Sequence, residues 1–500
     1  MKVGKGIQRV AEIAQVHFGK VICFFIFYWL TFSLLLIIVP NDIIGLWTIF
    51  LICASQIFFF EIGLRLLLYL SYGSKYRYSI FSYLFLDHPL YGVCLRKNCS
   101  IKDLNFLVFD RMVFPPGTPR ILNLEENKKR RLSVTVNSLG FRGREFSPYS
   151  KNSKLRIFCS GGSTTVGTCV DDDYTWCAQL EKYLRSKGFD VEVINGGVPS
   201  WHSYHEFLRL KNEVCRYSAD IVLLHQGWNE EFCYSSLSLG KKWKPGIIRN
   251  PREENNLYCP PNKVLSSTVS LSFYLTVQAY LKNRVFIPNM RFTNPERWKV
   301  LKRNEYVLSW FDNLMDTAKL CLNENMLLYT IDYPGLANLG DSSRDRKEYI
   351  RRSRLTPLFA DYQAVSKKRI SRVLSESSKI IPCLNVDEDF EVFKGPERAE
   401  LFYDEIHLTS KGSVLLAELI GRKLLQDEKF KIRSNSPNGK TGRSNVKLSD
   451  TAMRQIRQTL KKNRPYLDRF IDEKIDSLTA KIKGGHMGSS EIPQDRYTTF

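Results

Sequence analysis

The stretch RIFCSGGSTTVG, residues 156–167, decides the fold. It begins as an apolar run of strand length and ends as a glycine-rich polar turn that carries Ser163. A short apolar run bounded by turn residues reads as a strand buried on both faces. Two similar junctions follow, VEVINGG at 191–197 and DIVLLHQG at 220–227, and MLLYTID at 326–332 and IIPCLNV at 380–386 are further strand-like runs. Between them lie helical stretches, DYTWCAQLEKYLRSKG at 173–188, HSYHEFLRLKNEVCRYS at 202–218 and NEYVLSWFDNLMDTAKLCLNEN at 304–325. Such alternation predicts an α/β fold, a three-layer α/β/α sandwich around a mostly parallel, flavodoxin-like sheet.

The polar ends of the first three strands form a series with a later block. GGSTTVG (161–167), NGGVPS (195–200), GWNE (227–230) and DEIHLTSKG (404–412) supply a serine, a glycine N–H, an asparagine amide, and an aspartate three residues before a histidine. Taken singly, each is an ordinary turn, surface pair or helix cap. Together, and following strands, they form an inventory for acyl-ester chemistry. In open α/β sheets the functional crevice lies at the carboxyl ends of the strands. Ser163 is the candidate nucleophile, His407 its base and Asp404 the group that orients the base. The backbone N–H groups of Ser163 and Gly197 and the amide of Asn229 are the candidate oxyanion donors, with glycine at 197 expected to let the backbone approach substrate. This chemistry needs no metal and no other cofactor.

Two neighbouring features compete for attention. His202, His205, Glu206 and His225 could be half of a metal site, but no third ligand has recognisable spacing and the HExxH order is not met. Trp201 and Trp228 flank the glycine and the asparagine. Packing is the ordinary reading of such residues, and a stacking floor for a sugar ring is the functional one.

The order and spacing of the four blocks resemble the SGNH/GDSL hydrolase superfamily, in particular its membrane-anchored bacterial branch. The first block of that family reads Gly-Asp-Ser, where this chain has Gly161-Gly162-Ser163; the third reads Gly-x-Asn-Asp, where this chain has Gly227-Trp228-Asn229-Glu230. Gly197 matches the second block, and Asp404 and His407 match the Asp-x-x-His of the last. The lead-in VTVNSLGFRGREF at 134–146 is also similar. The resemblance covers about residues 85–426 and implies the same roles for Ser163, Gly197, Asn229, Asp404 and His407.

The chain has 500 residues and a formal net charge of +22. Basic residues are scattered, without zinc-finger spacing or a GxxxxGK loop, so anionic lipid explains the charge better than nucleic acid. The twelve cysteines show no CxxC pair and no framework spacing, which favours free thiols. Residues 21–39 and 43–60 are uncharged and apolar, each long enough to cross a bilayer. The expected organisation is a transmembrane helical hairpin in 1–72, a connecting region packed on the catalytic domain in 73–150, a hydrolase domain in 151–426, and a basic linker with an amphipathic helical tail in 427–500. That tail could pack on its own protein or lie on a membrane surface. Residues 231–300 read as an insertion of the kind that forms a substrate lid.

Lys2, Lys5, Arg9 and Lys20 before the hairpin, and Arg65, Lys75 and Arg77 after it, put both flanks in the cytoplasm. The resemblance implies an outward-facing domain in the bacterial cytoplasmic membrane. The expected protein is a membrane-anchored serine esterase that removes or transfers a short acyl group, acetyl above all, on a glycan or lipid-linked glycan. The alternatives are a lipase or thioesterase acting on membrane lipid, and a non-catalytic scaffold in a polysaccharide-export complex. The sequence does not set the oligomeric state.

Overall fold

The structure is a computed structural model that describes residues 84–88, 90–105, 131–149, 155–199, 201–231, 295–302, 305–353, 357–435, 444–462 and 465–483. The expected transmembrane hairpin and most of the insertion after 231 lie outside these residues. Among the described residues no helix is long and apolar enough to cross a membrane.

Five parallel strands form the central sheet: β5 (Leu155–Gly161), β6 (Val191–Asn195), β7 (Ile221–His225), β8 (Leu327–Ile331) and β9 (Cys383–Leu384). Their order is β6-β5-β7-β8-β9. This is the doubly wound 2-1-3-4-5 order, with its switch point between the first and third strands, β5 and β7. The sheet predicted from the alternating runs is therefore present, including the short run at 380–386.

Side-chain alternation along the strands divides the core in two. Phe158, Val222, Leu224 and Leu328 point to one side. There they meet α3 (Ser203–Asn212), α5 (Glu305–Asn323) and α7 (Pro357–Ser377) through Leu210, Trp310, Leu314, Ile370 and Val373. Ile157, Cys159, Ile221, Leu223 and Tyr329 point to the other, against α2 (Trp176–Ser186) and α10 (Ser410–Gln426) through Leu180, Leu184, Leu416 and Ile420. Strands covered on both faces have no use for polar alternation, which is why they read as continuous apolar runs. Every cysteine among the described residues is a free thiol.

The connecting region before the sheet forms two antiparallel pairs, β1 (Phe85–His88) with β2 (Gly92–Leu95), and β3 (Cys99–Asn105) with β4 (Arg131–Val136). Backbone pairings of Arg142 with Val136 and with Asn195 tie this region to the edge strand β6. Further along that edge, Glu181 Oε2 accepts the N–H of Val193 at 2.8 Å and Arg185 Nε donates to Val191 O at 3.0 Å.

Residues 444–462 and 465–483, within the segment expected to be linker and tail, pack on the rest of the described chain. Asn445 Oδ1 accepts the N–H of Leu328 at 2.8 Å, and its Nδ2 donates to Leu328 O at 2.9 Å. One side chain thus stands in for a neighbouring strand where the short β9 does not reach. Ile456 and Leu460 of α12 (Asp450–Lys461) join the first core, and Leu467, Ile471 and Leu478 of α13 (Pro465–Lys483) pack on Trp298 and Tyr362. Of the two readings of the amphipathic tail, packing on its own protein is the one observed. Ser444 and Asn445 bond to backbone groups, while Val446 and Leu448 pack on the first core.

Replacing Asn445 with Ala strands a buried donor and acceptor of β8, a loss of about 1–3 kcal/mol. Chemical denaturation should show a lower midpoint with an unchanged slope. An unchanged midpoint would mean that the two bonds add nothing to stability.

Candidate active site

Ser163 stands where β5 ends. That strand is buried along its whole length, and Gly161 and Gly162 lead the chain out of it into α1 (Ser163–Val166). A Cβ on Gly161 would stand 2.7 Å from His225 O, and one on Gly162 2.4 Å from Asn229 Nδ2.

His407 arrives from the loop before α10. Phe402 pairs with Leu408 across the loop, and Tyr403 N–H donates to His407 O at 2.6 Å. Asp404 lies inside the turn and is 1% exposed. Its Oδ1 accepts the N–H groups of Ile406 at 2.9 Å and His407 at 2.7 Å, while Oδ2 lies 2.7 Å from His407 Nδ1. On the other side of the ring, Nε2 lies 2.8 Å from Ser163 Oγ. A carboxylate only accepts, so Nδ1 carries the proton of the neutral ring and Nε2 accepts from the serine. Serine, imidazole and carboxylate are therefore in register for proton transfer. Three residues of chain place the Asp404 and His407 side chains on one side of a turn.

The other expected residues gather round Ser163 in different ways. Asn229 Nδ2 sits against Gly162 and donates to Trp201 O at 2.6 Å. The amide carries a second hydrogen. Gly197 N–H donates to Asn195 Oδ1 at 3.1 Å. A Cβ at 197 would lie 2.2 Å from Val166 N. Contact with the turn that carries Ser163 therefore by itself requires glycine there.

The two tryptophans weighed as a stacking floor are buried. Trp201 and Trp228 are 1% and 7% exposed. Trp201 lies flat on His205 at 5.9 Å and edge-on to Tyr91, and Trp228 lies on Tyr333. Their faces are used in packing.

Beneath the site lies a buried polar layer. Glu206 Oε2 accepts from Ser160 Oγ at 2.9 Å and Gln226 Nε2 at 2.7 Å. Glu230 holds the turn that presents Asn229, accepting the N–H of Ser203 at 2.6 Å and of Gly227 at 3.1 Å. Burial and then the neighbouring Glu230 push the Glu206 carboxyl up to about 8. Burial also raises Glu230 and pushes His225 down to about 3, so the His225 ring is neutral. It lies on Tyr333 at 4.6 Å, with Nδ1 3.4 Å from Thr164 Oγ1. Among the described residues, no group of three His, Cys, Asp or Glu side chains could hold a metal ion. Glu206, first weighed as a ligand, is occupied by Ser160 and Gln226.

Sequence reasoning missed Arg142, Asn195 and Tyr333. The first two lie in stretches already singled out, 134–146 and 195–200. Nothing in the spacing marks Tyr333, which reaches the site only because β8 lies beside β7.

No family model matches the chain, and no curated protein matches it. Among solved structures it is similar to a GDSL-like lipase from Bacteroides thetaiotaomicron, with 14% identity over 56% of this chain and 92% of that one, at a TM-score of 0.29. It is also similar to a lipase/acylhydrolase from Enterococcus faecalis, with 17% identity over 54% and 95% and a TM-score of 0.31. An acetylxylan esterase from Geobacillus stearothermophilus gives 11% identity over 54% and 95%, with a TM-score of 0.31.

The buried acids give a testable pH dependence. Glu206 has a folded value of about 8, raised from 4.5. The unfolded chain ionises first, so the stability held by the protonated acid is present below pH 4.5 and is lost as pH rises towards about 8. Glu206→Gln is an isostere of the protonated acid and keeps an acceptor for Ser160 and Gln226. Its melting temperature relative to the parent should climb across that window. A constant difference would show that Glu206 ionises as freely folded as unfolded.

Proposed function

We propose that the protein is an SGNH-type serine hydrolase acting on ester bonds. The observation that carries this reading is the unbroken chain Ser163 Oγ–His407 Nε2 at 2.8 Å and His407 Nδ1–Asp404 Oδ2 at 2.7 Å, at the carboxyl end of the sheet. Ser163 Oγ attacks the acyl carbonyl as His407 Nε2 takes its proton, and the buried carboxylate of Asp404 stabilises the imidazolium. The carbonyl oxygen, now negative, takes hydrogen bonds from the N–H of Ser163 and the second amide hydrogen of Asn229. Gly197 N–H, held by Asn195 Oδ1, lies beside them. One such donor is worth roughly 10²–10³ in rate. His407 returns the proton to the leaving alkoxide, and a water or a second acceptor then removes the acyl group by the reverse steps.

The acyl group in this reading is short, acetyl above all. The cavity beside Ser163, lined by Thr164, His225, Trp228, Asn229 and Tyr333, has a free volume of about 10 Å³, on the order of one water. The resemblance of the four blocks to SGNH enzymes supports a glycan as acceptor. The apolar runs at 21–39 and 43–60 support anchoring in the cytoplasmic membrane, with a lipid-linked glycan within reach, and the flanking charge favours a cytoplasmic catalytic domain.

A fluorophosphonate probe should label Ser163 in the purified protein. Ser163→Ala should abolish that labelling and lower kcat on p-nitrophenyl acetate by about 10⁶, the scale of whole triads. Parent-like turnover in the variant would end the hydrolase reading.

Acyl length tests the rest. kcat/KM should fall from p-nitrophenyl acetate to octanoate. A lipase would gain instead, by up to ~0.8 kcal/mol per buried methylene. A rise with chain length would replace the short-acyl reading with a lipid substrate.

A further inference from the structure

The lead-in VTVNSLGFRGREF has no part in the triad, yet it delivers a buried arginine to the back of the nucleophile. Helix α1, Ser163–Val166, is a single turn of four residues. One turn fixes several dihedrals for very few hydrogen bonds and does not hold its own shape. Its first residue must nonetheless keep Oγ within hydrogen-bonding distance of His407. The turn is gripped from behind. Arg142, 4% exposed, donates from Nη1 to Val166 O at 2.7 Å and to Gly167 O, and from Nη2 to Val170 O at 2.6 Å. Its Nε donates to Asp172 Oδ1 at 2.9 Å, and Asp172 Oδ2 in turn accepts the N–H and hydroxyl of Thr135 on β4.

A positive charge on the carbonyls that end a helix complements the helix dipole. A planar fork can bond several carbonyls at once, which a lysine ammonium cannot match in direction. Asn195 completes the strut. Its Nδ2 reaches Val166 O at 3.4 Å, and its Oδ1 holds the N–H of Gly197.

We propose that Arg142 is a positioning residue for the nucleophile: seated on the carbonyls of Val166, Gly167 and Val170, it fixes the turn that carries Ser163. This rests on the reading of Ser163 as nucleophile. Arg142 opens onto a groove of about 810 Å³, lined also by Asp172, Tyr174, Glu181 and Glu192, whose lining does not include Ser163, His407 or Asn229. Arg142 therefore acts on the serine without touching substrate, and a small cation can reach its place from outside.

The test compares the parent with Arg142→Ala and Arg142→Lys in fluorophosphonate labelling rate and in kcat and KM on p-nitrophenyl acetate. Loosening the turn misplaces Ser163 Oγ, so labelling rate and kcat should fall by about 10², the cost of a displacement on the order of 1 Å, with KM unchanged. Guanidinium at low concentration should restore part of the labelling rate of Arg142→Ala, and ammonium at the same concentration should not. Labelling of Arg142→Ala at the parental rate, a change confined to KM, or a loss that guanidinium leaves untouched would overturn the proposal. If Arg142→Ala does not fold, Arg142→Lys decides: a parental circular dichroism spectrum with slowed labelling supports the proposal, and a parental labelling rate overturns it. A parent protein that is not labelled at all overturns the hydrolase reading and this inference together. A labelled parent with an equally reactive variant overturns only this inference.

Discussion

Three hydrogen bonds to the carboxylate of Asp404 set the position of His407, and the meaning of the other site groups follows from that position. One oxygen closes the loop through the N–H groups of Ile406 and His407, and the other takes the ring. The same group thus shapes the backbone and aims the imidazole. Bonds to an ionised acceptor are stronger than neutral ones, and the near absence of water round Asp404 keeps them so. The serine has to meet that ring from a different part of the chain. It does so because β5 is held between two helical layers and leaves them only at its carboxyl end.

The floor of the crevice follows a different logic. Glu206, Glu230, Gln226, Ser160 and Ser203 are buried together, and two carboxylates side by side in an apolar setting resist ionising together. Their hydrogen bonds go to the backbone and side chains that present Asn229 and to the last residues of β5 and β7. Trp310 and Asn313 of α5 close the layer from the far side through Gln226 Oε1 and Ser203 Oγ. Such a layer is costly unless each group finds a partner, and in return it permits few alternative packings.

The strands, their parallel arrangement and the Asp404–His407 pair could be read from the sequence because local patterns encode them: buried strands are apolar throughout, and Asp404 and His407 lie within one turn. What escaped depends on distance. Arg142 is an ordinary basic residue until folding lays it against Val166, some twenty positions later in the chain. Asn445 looks like part of a linker because a side chain that imitates a strand has no periodicity. For the two tryptophans, which adjoin the site in sequence, the spacing leaves packing and a stacking floor both open. In three dimensions Tyr91, His205 and Tyr333, from three separate segments, cover them. Gly197 lies against the turn that carries Ser163, a neighbour that the sequence could not bring beside it.

The two borders of the sheet bear on how this chain lives among copies of itself. A parallel sheet ends in rows of backbone donors and acceptors, and an exposed row is a template on which another polypeptide can grow. Here Glu181 and Arg185 engage Val193 and Val191 on one border, and Asn445 engages Leu328 towards the other. These positions lie far apart in sequence, and the second depends on a segment near the end of the chain. Until that segment is synthesised and docked, the β8 border stays adhesive. While residues 444–449 are undocked, that border is open to pairing with another chain.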